Sequence, residues 1–406
     1  YCDPNSLLPS VQETIVLFQE PPYLFQDFVG KAIAFLKSSL VRDTGFIYDP
    51  KIALPCKWKC ADESVFGVDL CLYAYTGHYP FDKGGLGGCF NSMTLPAAVH
   101  HSRTNIDFGG AHVGYCATVP EKFGCIVRPM REREPSADCG YLMGIMAPFK
   151  EVYDDACKSI FLFSPDGWQV LISIPNEYLQ PSWSSHHIKL LVDIENLASG
   201  PVPYDVNKPF THKIAGRSLF SASPRFLEAL PEGKAGVFTS RDKTPIGGEL
   251  TAEYFHIFDS RAELDGGVPT QRFLPYMKYI LSSKLAPYPL KAAVTHANIE
   301  HNRLVDAVRA EGFRDDAFAS FSGVFIDIYD PDVNAYVNLF QPVGVSIKAA
   351  GRTREVEFTS NEIHQIFDRL VPDKPVLDLA EVLGFARPVH VLERFRFPET
   401  PPPPSI

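Results

Sequence analysis

Apolar residues recur at helical spacing from Tyr23 to Leu40, with Gln26, Asp27, Lys31 and Lys37 between them, and predict an amphipathic helix. Lys51-Ile-Ala-Leu-Pro-Cys56 predicts a short buried strand that delivers Cys60 on the loop beyond its end. Gly84-Gly-Leu-Gly-Gly88 marks a turn where backbone must approach something closely, read here as a pocket wall. Leu95–His101 predicts the start of a short helix. Residues 160–164 and 169–174, separated by Pro165-Asp-Gly-Trp168, predict a hairpin, and residues 187–194 a further strand or short helix. Farther on, a helix is expected over Asn302–Glu311 and strands over Val324–Tyr329 and Ala335–Phe340. These strands flank the turn cluster Asp330-Pro-Asp-Val-Asn334, which makes them a second hairpin, and a helix follows over Asn361–Leu370. No internal repeat is present.

A chain of 406 residues exceeds one small core, so two domains are the default. The Ser-, Pro- and Gly-rich stretch 198–225 is the expected boundary. It separates a domain over 1–225 from an α+β domain over 226–398, with a Pro-rich tail over 399–406. The hydrophobic share of 45% and charged share of 21% are those of an ordinary globular protein. No stretch approaches the roughly 20 apolar residues that span a bilayer. The net charge of −10, with scattered Lys and Arg, argues against nucleic acid as a partner, because phosphate neutralisation needs a basic face. The nine cysteines all lie at or before Cys157, an odd number unevenly placed that does not resemble a secreted disulfide framework. A reducing, intracellular compartment is expected, cytoplasmic or organellar. The first residue is Tyr1, so removal of a targeting peptide stays compatible with the sequence.

Three segments carry the candidate chemistry: Lys57–Glu63 around Cys60, Gly109–Tyr115 around His112, and Ser136–Tyr141 around Cys139. Two thiols and one imidazole are a usual ligand set for a catalytic Zn2+ that keeps its fourth position open to water. Asp62, two residues past the first thiol, is placed to accept a hydrogen bond from that water. Singly, each cysteine is more often a buried core thiol and the histidine a satisfied core residue. What shifts the balance is that all three sit among small residues (Ala61, Gly109-Gly110-Ala111, Gly140), which let backbone and a metal approach the ligand atom.

Four elements in order over about residues 45–150 resemble the limiting-CO2-inducible B/C family, relatives of the β-carbonic anhydrases. They are Cys60-Ala-Asp-Glu63, then Leu86-Gly-Gly88 leading to Ala97-Ala-Val-His-His101, then Ala111-His112-Val113, and last Arg128-Pro-Met-Arg131 with Ser136 and Cys139-Gly140. The resemblance implies an α/β fold with a β-carbonic-anhydrase-like zinc domain, usually paired as a homodimer, with Cys60, His112 and Cys139 as ligands and Asp62 beside them. β-Carbonic anhydrases pair that aspartate with an Arg four residues after the first Cys, where Ser64 stands. The limiting-CO2-inducible proteins usually carry Arg between the Cys and the Asp, where Ala61 stands. Asp62 must therefore find another cation, Arg103 or Arg128, or go without one and close the site as a fourth ligand. The expected activity is zinc-dependent CO2/bicarbonate interconversion by a lyase. The alternatives are hydrolase or lyase chemistry on a larger metabolite at the same zinc, or a non-catalytic zinc protein of assembly or regulation.

Other candidates carry less. His100 and His101 either line the pocket as proton carriers or hold backbone. His186-His187 reads as polar surface. His296 and His301 are five apart and diverge on a helix, unlike ligands at i,i+4. Cys56 reads as a buried thiol. No dinucleotide fingerprint, Gly-x-Ser-x-Gly elbow or phosphate loop occurs.

Overall fold

Twelve consecutive buried residues, Thr104–Tyr115, form the central strand of a seven-stranded mixed sheet. A strand covered on both faces reads as a continuous run rather than an alternation, which is why its sequence predicts no period. The computed structural model describes residues 20–119, 122–132, 134–180, 187–202, 216–230, 242–260, 268–282, 286–331 and 334–372. The central strand runs parallel to Ala53–Trp58 on one side and to Ala317–Asp330 on the other. Phe81–Asp82 extends the sheet beyond Ala53–Trp58. Ala335–Lys348 pairs antiparallel with Ala317–Asp330, and its outer edge takes Tyr23–Leu24 and Val356–Thr359.

The expected amphipathic helix forms over Phe25–Lys37, followed after Ser38 by a short helix, Ser39–Asp43. Its face of Phe25, Phe28, Val29, Ala32 and Phe35 packs into a core with Phe108, Phe321, Phe325 and Phe340, the Phe28 and Phe340 rings 4.5 Å apart. A second core joins Trp58, Phe90 and Leu95 to Phe318 and to Leu304 and Val308 of the helix Tyr288–Val308. That helix is longer than the segment predicted from Asn302. Its first part is buried almost all round, so it has no polar face to betray its period.

Two glycines let the central strand sit this close to its neighbours. A Cβ at Gly109 would overlap the Trp58 indole, and one at Gly110 would overlap the Gly323 carbonyl of the paired strand. Gly110→Ala is expected to cost about 1–3 kcal/mol of overpacking, read from the midpoint of urea unfolding. An unchanged midpoint would show that the two strands part freely.

Contacts divide the described residues into two compact units: Tyr1–Met143 with Leu285–Ile406, and Gly144–Lys284 between them in sequence. The boundary drawn from sequence at residue 225 therefore differs from the observed division. The reason is the pairing of Ala317–Asp330 with Thr104–Tyr115, which puts a strand assigned to the 226–398 domain in the middle of the sheet. The second unit holds an antiparallel sheet in the order Ala198–Pro201, Arg217–Ala222, Leu171–Pro175, Phe161–Phe163 and Thr244–Pro245. Its Phe161–Phe163 and Leu171–Pro175 strands are the predicted first hairpin, and the residues expected from 187 onward form the strand Ile188–Val192, paired with Phe255–Asp259. The predicted second hairpin is present with longer arms, and the last helix spans Ser360–Phe367. The Pro-rich tail and His186 lie outside the described residues. No described helix is long and apolar enough to cross a membrane.

Candidate metal centre

Cys60 lies just past the end of Ala53–Trp58, His112 within the central strand, and Cys139 immediately before the helix Gly140–Ser159. Their ligand atoms stand within 4.8 Å of one another, and all three residues are buried. The sequence does not predict the helix after Cys139, because Gly140, Gly144 and an internal Pro148 weaken its local signal.

The orientation of His112 decides what the cluster can hold. Its Nδ1 faces two buried carboxylates, Asp327 at 2.9 Å and Asp138 at 3.2 Å. Its Nε2 is buried with no hydrogen-bond partner. A buried imidazole nitrogen left without a partner beside two thiols fits a metal ligand, and a carboxylate on the opposite nitrogen fixes the tautomer such a ligand needs. Burial opposes a proton on His112, but Asp138 and Asp327 more than offset it and raise its pKa well above the ordinary value. The adjacent Cys139 thiol is the largest influence on Cys60 and, with His112, brings it down to about 3 against burial, while Cys139 is raised by the nearby Cys60 and by its burial. Backbone amides complete the cradle: Gly87 N–H donates to Cys60 Sγ at 3.2 Å, and the Asp62 amide also faces it. Gly87 and Gly88 hold φ of +71° and +78°, and a Cβ on either would overlap Tyr141 or the Gly110 carbonyl. The close approach expected of this turn is thus toward Cys60, Tyr141 and the central strand.

Arg128 is the cation that Asp62 needs. Its Nη2 and Nη1 donate to the two Asp62 oxygens at 3.0 and 3.2 Å, and it also bonds Glu63 and the Asp138 carbonyl. Burial pushes the Asp62 carboxyl up, but Arg128 and the Ser64 amide hold it down to about 2. Ser64, standing where the resemblance expects arginine, has a different task. Its hydroxyl donates to Asp327 at 2.8 Å, and Asn338 donates to the other Asp327 oxygen at 2.7 Å. The carboxylate behind His112 is thereby held from three sides.

Arg103 and His101 are not brought to this cluster. Arg103 is exposed just before the central strand, and His112 lies nine residues along it, about 30 Å away at ~3.3 Å per residue. Both line a separate open cleft of about 490 Å³ with Lys51 and His78. His101 packs on Phe81, and His100 is exposed. Cys56 is fully buried, and burial pushes its thiol up to about 12, as suits an inert core thiol. Asp138 and Asp327 are the residues the sequence reading missed. Asp138 adjoins Cys139 and could have been weighed, but nothing local marks Asp327.

No protein-family model and no curated protein matches the chain. It is similar to the solved structure of PtLCIB4, a homolog of the limiting CO2-inducible protein LCIB, with 13% identity, a TM-score of 0.43, and 81% of this chain and 93% of that one covered. It is also similar to the crystal structure of limiting CO2-inducible protein LCIB, with 14% identity, a TM-score of 0.38, and 82% and 92% covered. Both of these solved structures, which this mixed α/β chain is similar to, are of LCIB or a homologue of it.

Proposed function

We propose that the chain is a zinc-dependent lyase that interconverts CO2 and bicarbonate, with Cys60, His112 and Cys139 holding the metal. One observation supports this reading above the others: the orphaned His112 Nε2 sits with two thiols, next to an aspartate held by arginine. Zinc, when bound, would supply a Lewis acid that makes water nucleophilic near neutral pH. The chain supplies direction. Asp62, ionised under the hold of Arg128, has only acceptor capacity, so it would accept a hydrogen bond from the attacking water or hydroxide and leave that oxygen's lone pair aimed at the carbon. Arg128 is a positioning residue that acts through Asp62. The two bonds from Arg128, and the absence of Asp62 from the group of atoms within 4.8 Å, favour an open site over one closed by the aspartate.

Stopped-flow CO2 hydration on zinc-quantified protein tests the reading. The expected result is zinc-dependent hydration that falls about 100-fold in Asp62→Asn, and less in Arg128→Gln. Absence of hydration with the Cys60 centre fully loaded rejects CO2 as substrate, and full activity in Asp62→Asn rejects the role given to that carboxylate.

A further inference from the structure

A second group of ligating side chains stands near the first and shares no residue with it. Cys89 follows the Leu86–Gly88 turn whose Gly87 amide donates to Cys60. His296 and Glu300 are four apart on the helix Tyr288–Val308, a spacing that puts both on one face, and both are buried. Ligand atoms of Cys89, His296 and Glu300 all lie within 4.8 Å of one another, with Cys89 Sγ 3.7 Å from His296 Nε2. Metal bonds of about 2.0–2.3 Å in a tetrahedron separate neighbouring ligands by roughly 3.3–3.8 Å, so that distance suits a shared ion. Glu300 Oε2 accepts from the Phe90 amide at 2.7 Å and from Arg303, contacts that orient the carboxylate as ligating carboxylates are commonly oriented. The Tyr141 hydroxyl lies 3.3 Å from Cys89 Sγ.

His301 takes no part. It bonds Ser322 Oγ at 2.7 Å, and burial lowers its pKa to about 4. The pairing that divergence on a helix excluded, His296 with His301, is replaced by His296 with Glu300, at the spacing a helical metal site requires.

We propose that Cys89, His296 and Glu300 form a second site for a divalent transition-metal ion of the zinc type. One sulfur, one nitrogen and one oxygen ligand suit zinc or cobalt and not magnesium or calcium, which favour all-oxygen sets. The Cys89 thiol binds as thiolate and releases its proton to solvent as the ion enters. The site stands independently of the CO2 reading, because it uses none of the residues assigned to that reaction.

Metal content of the full chain, loaded with Zn2+ and freed of loose ion by gel filtration, tests the proposal by elemental analysis and native mass spectrometry. Wild type is expected to hold two zinc ions per chain, and His296→Ala and Cys89→Ser one each. Cys139→Ala is expected to lose the other ion; failure of the first centre alone would instead give one ion in wild type, none in His296→Ala and Cys89→Ser, and no loss in Cys139→Ala. Circular dichroism confirms that each variant is folded, and Cys89→Ser, a change of one atom, serves where His296→Ala does not fold. A zinc count in Cys89→Ser equal to that of wild type overturns the second site.

Discussion

His112→Ala is expected to remove all zinc-dependent CO2 hydration together with the metal at the Cys60 centre, whereas Asp327→Ala is expected to weaken zinc binding there about 10–100-fold. The first expectation follows from ligand count, since two thiols alone leave a catalytic zinc short of its usual three protein ligands. The second follows from what Asp327 does to the imidazole. It lies at 2.9 Å from Nδ1 and is itself braced by Ser64 and Asn338, so it fixes both the ring and the tautomer that turns Nε2 toward the thiols. Asp138, at 3.2 Å from the same nitrogen, has neither oxygen hydrogen-bonded. Asp138→Ala is therefore expected to cost less than Asp327→Ala. Chelator competition at fixed pH measures both, and a larger loss in Asp138→Ala would assign the holding role to the wrong carboxylate.

What the sequence disclosed and what it hid have the same physical origin. The three proposed ligands stand at the ends of elements or among glycines, where a local run such as Cys60-Ala61-Asp62 or Cys139-Gly140 reveals a small-residue setting. Asp327 stands inside a run, Val324-Phe-Ile-Asp-Ile-Tyr329, that predicts its strand correctly but says nothing of the neighbour across the ladder. Register places Asp327 opposite Gly114, two residues along from His112, and only strand pairing over more than 200 positions makes that so. The same long-range pairing made the division at residue 225 differ from the observed one. Arg103 and Arg128 were equal candidates by charge alone. The small hairpin of Cys125–Val127 and Pro135–Ala137 is what decides between them, because the Gly124 amide before it donates to the Gly114 carbonyl, near the end of the central strand that carries His112, and the Asp138 amide after it donates to the Gly124 carbonyl. Helix Tyr288–Val308, unlike the amphipathic Phe25–Lys37, hid its first half because it is buried too completely there to show a stripe.

The largest effect on stability is expected at Lys83 and Asp107, a fully buried ion pair 2.9 Å apart. Burial opposes the Lys83 charge, but the facing carboxylate more than offsets it and raises the lysine pKa. The Phe318 ring stands 5.7 Å from the ammonium. Removing one partner leaves the other charge stranded in an apolar layer, so Lys83→Met and Asp107→Leu are each expected to cost about 3–5 kcal/mol. Replacing both removes two desolvation penalties together, and the double variant is expected to lie near wild type or above it by up to about 4 kcal/mol. Urea unfolding of the four proteins gives the coupling directly. A double variant as unstable as the sum of the singles would mean that the pair does not interact and that each side chain is held by its other contacts. The comparison also separates stability from site geometry. Lys83 opens the segment that leads to Gly87, and its backbone is fixed at both ends, its amide donating to the Lys57 carbonyl at 2.7 Å and its own carbonyl accepting from the Asn91 amide at 2.8 Å. If those backbone bonds alone set the turn against Cys60, the double variant is expected to bind metal at the Cys60 centre with wild-type affinity. If the ion pair sets it, the protein stays folded and the metal is lost.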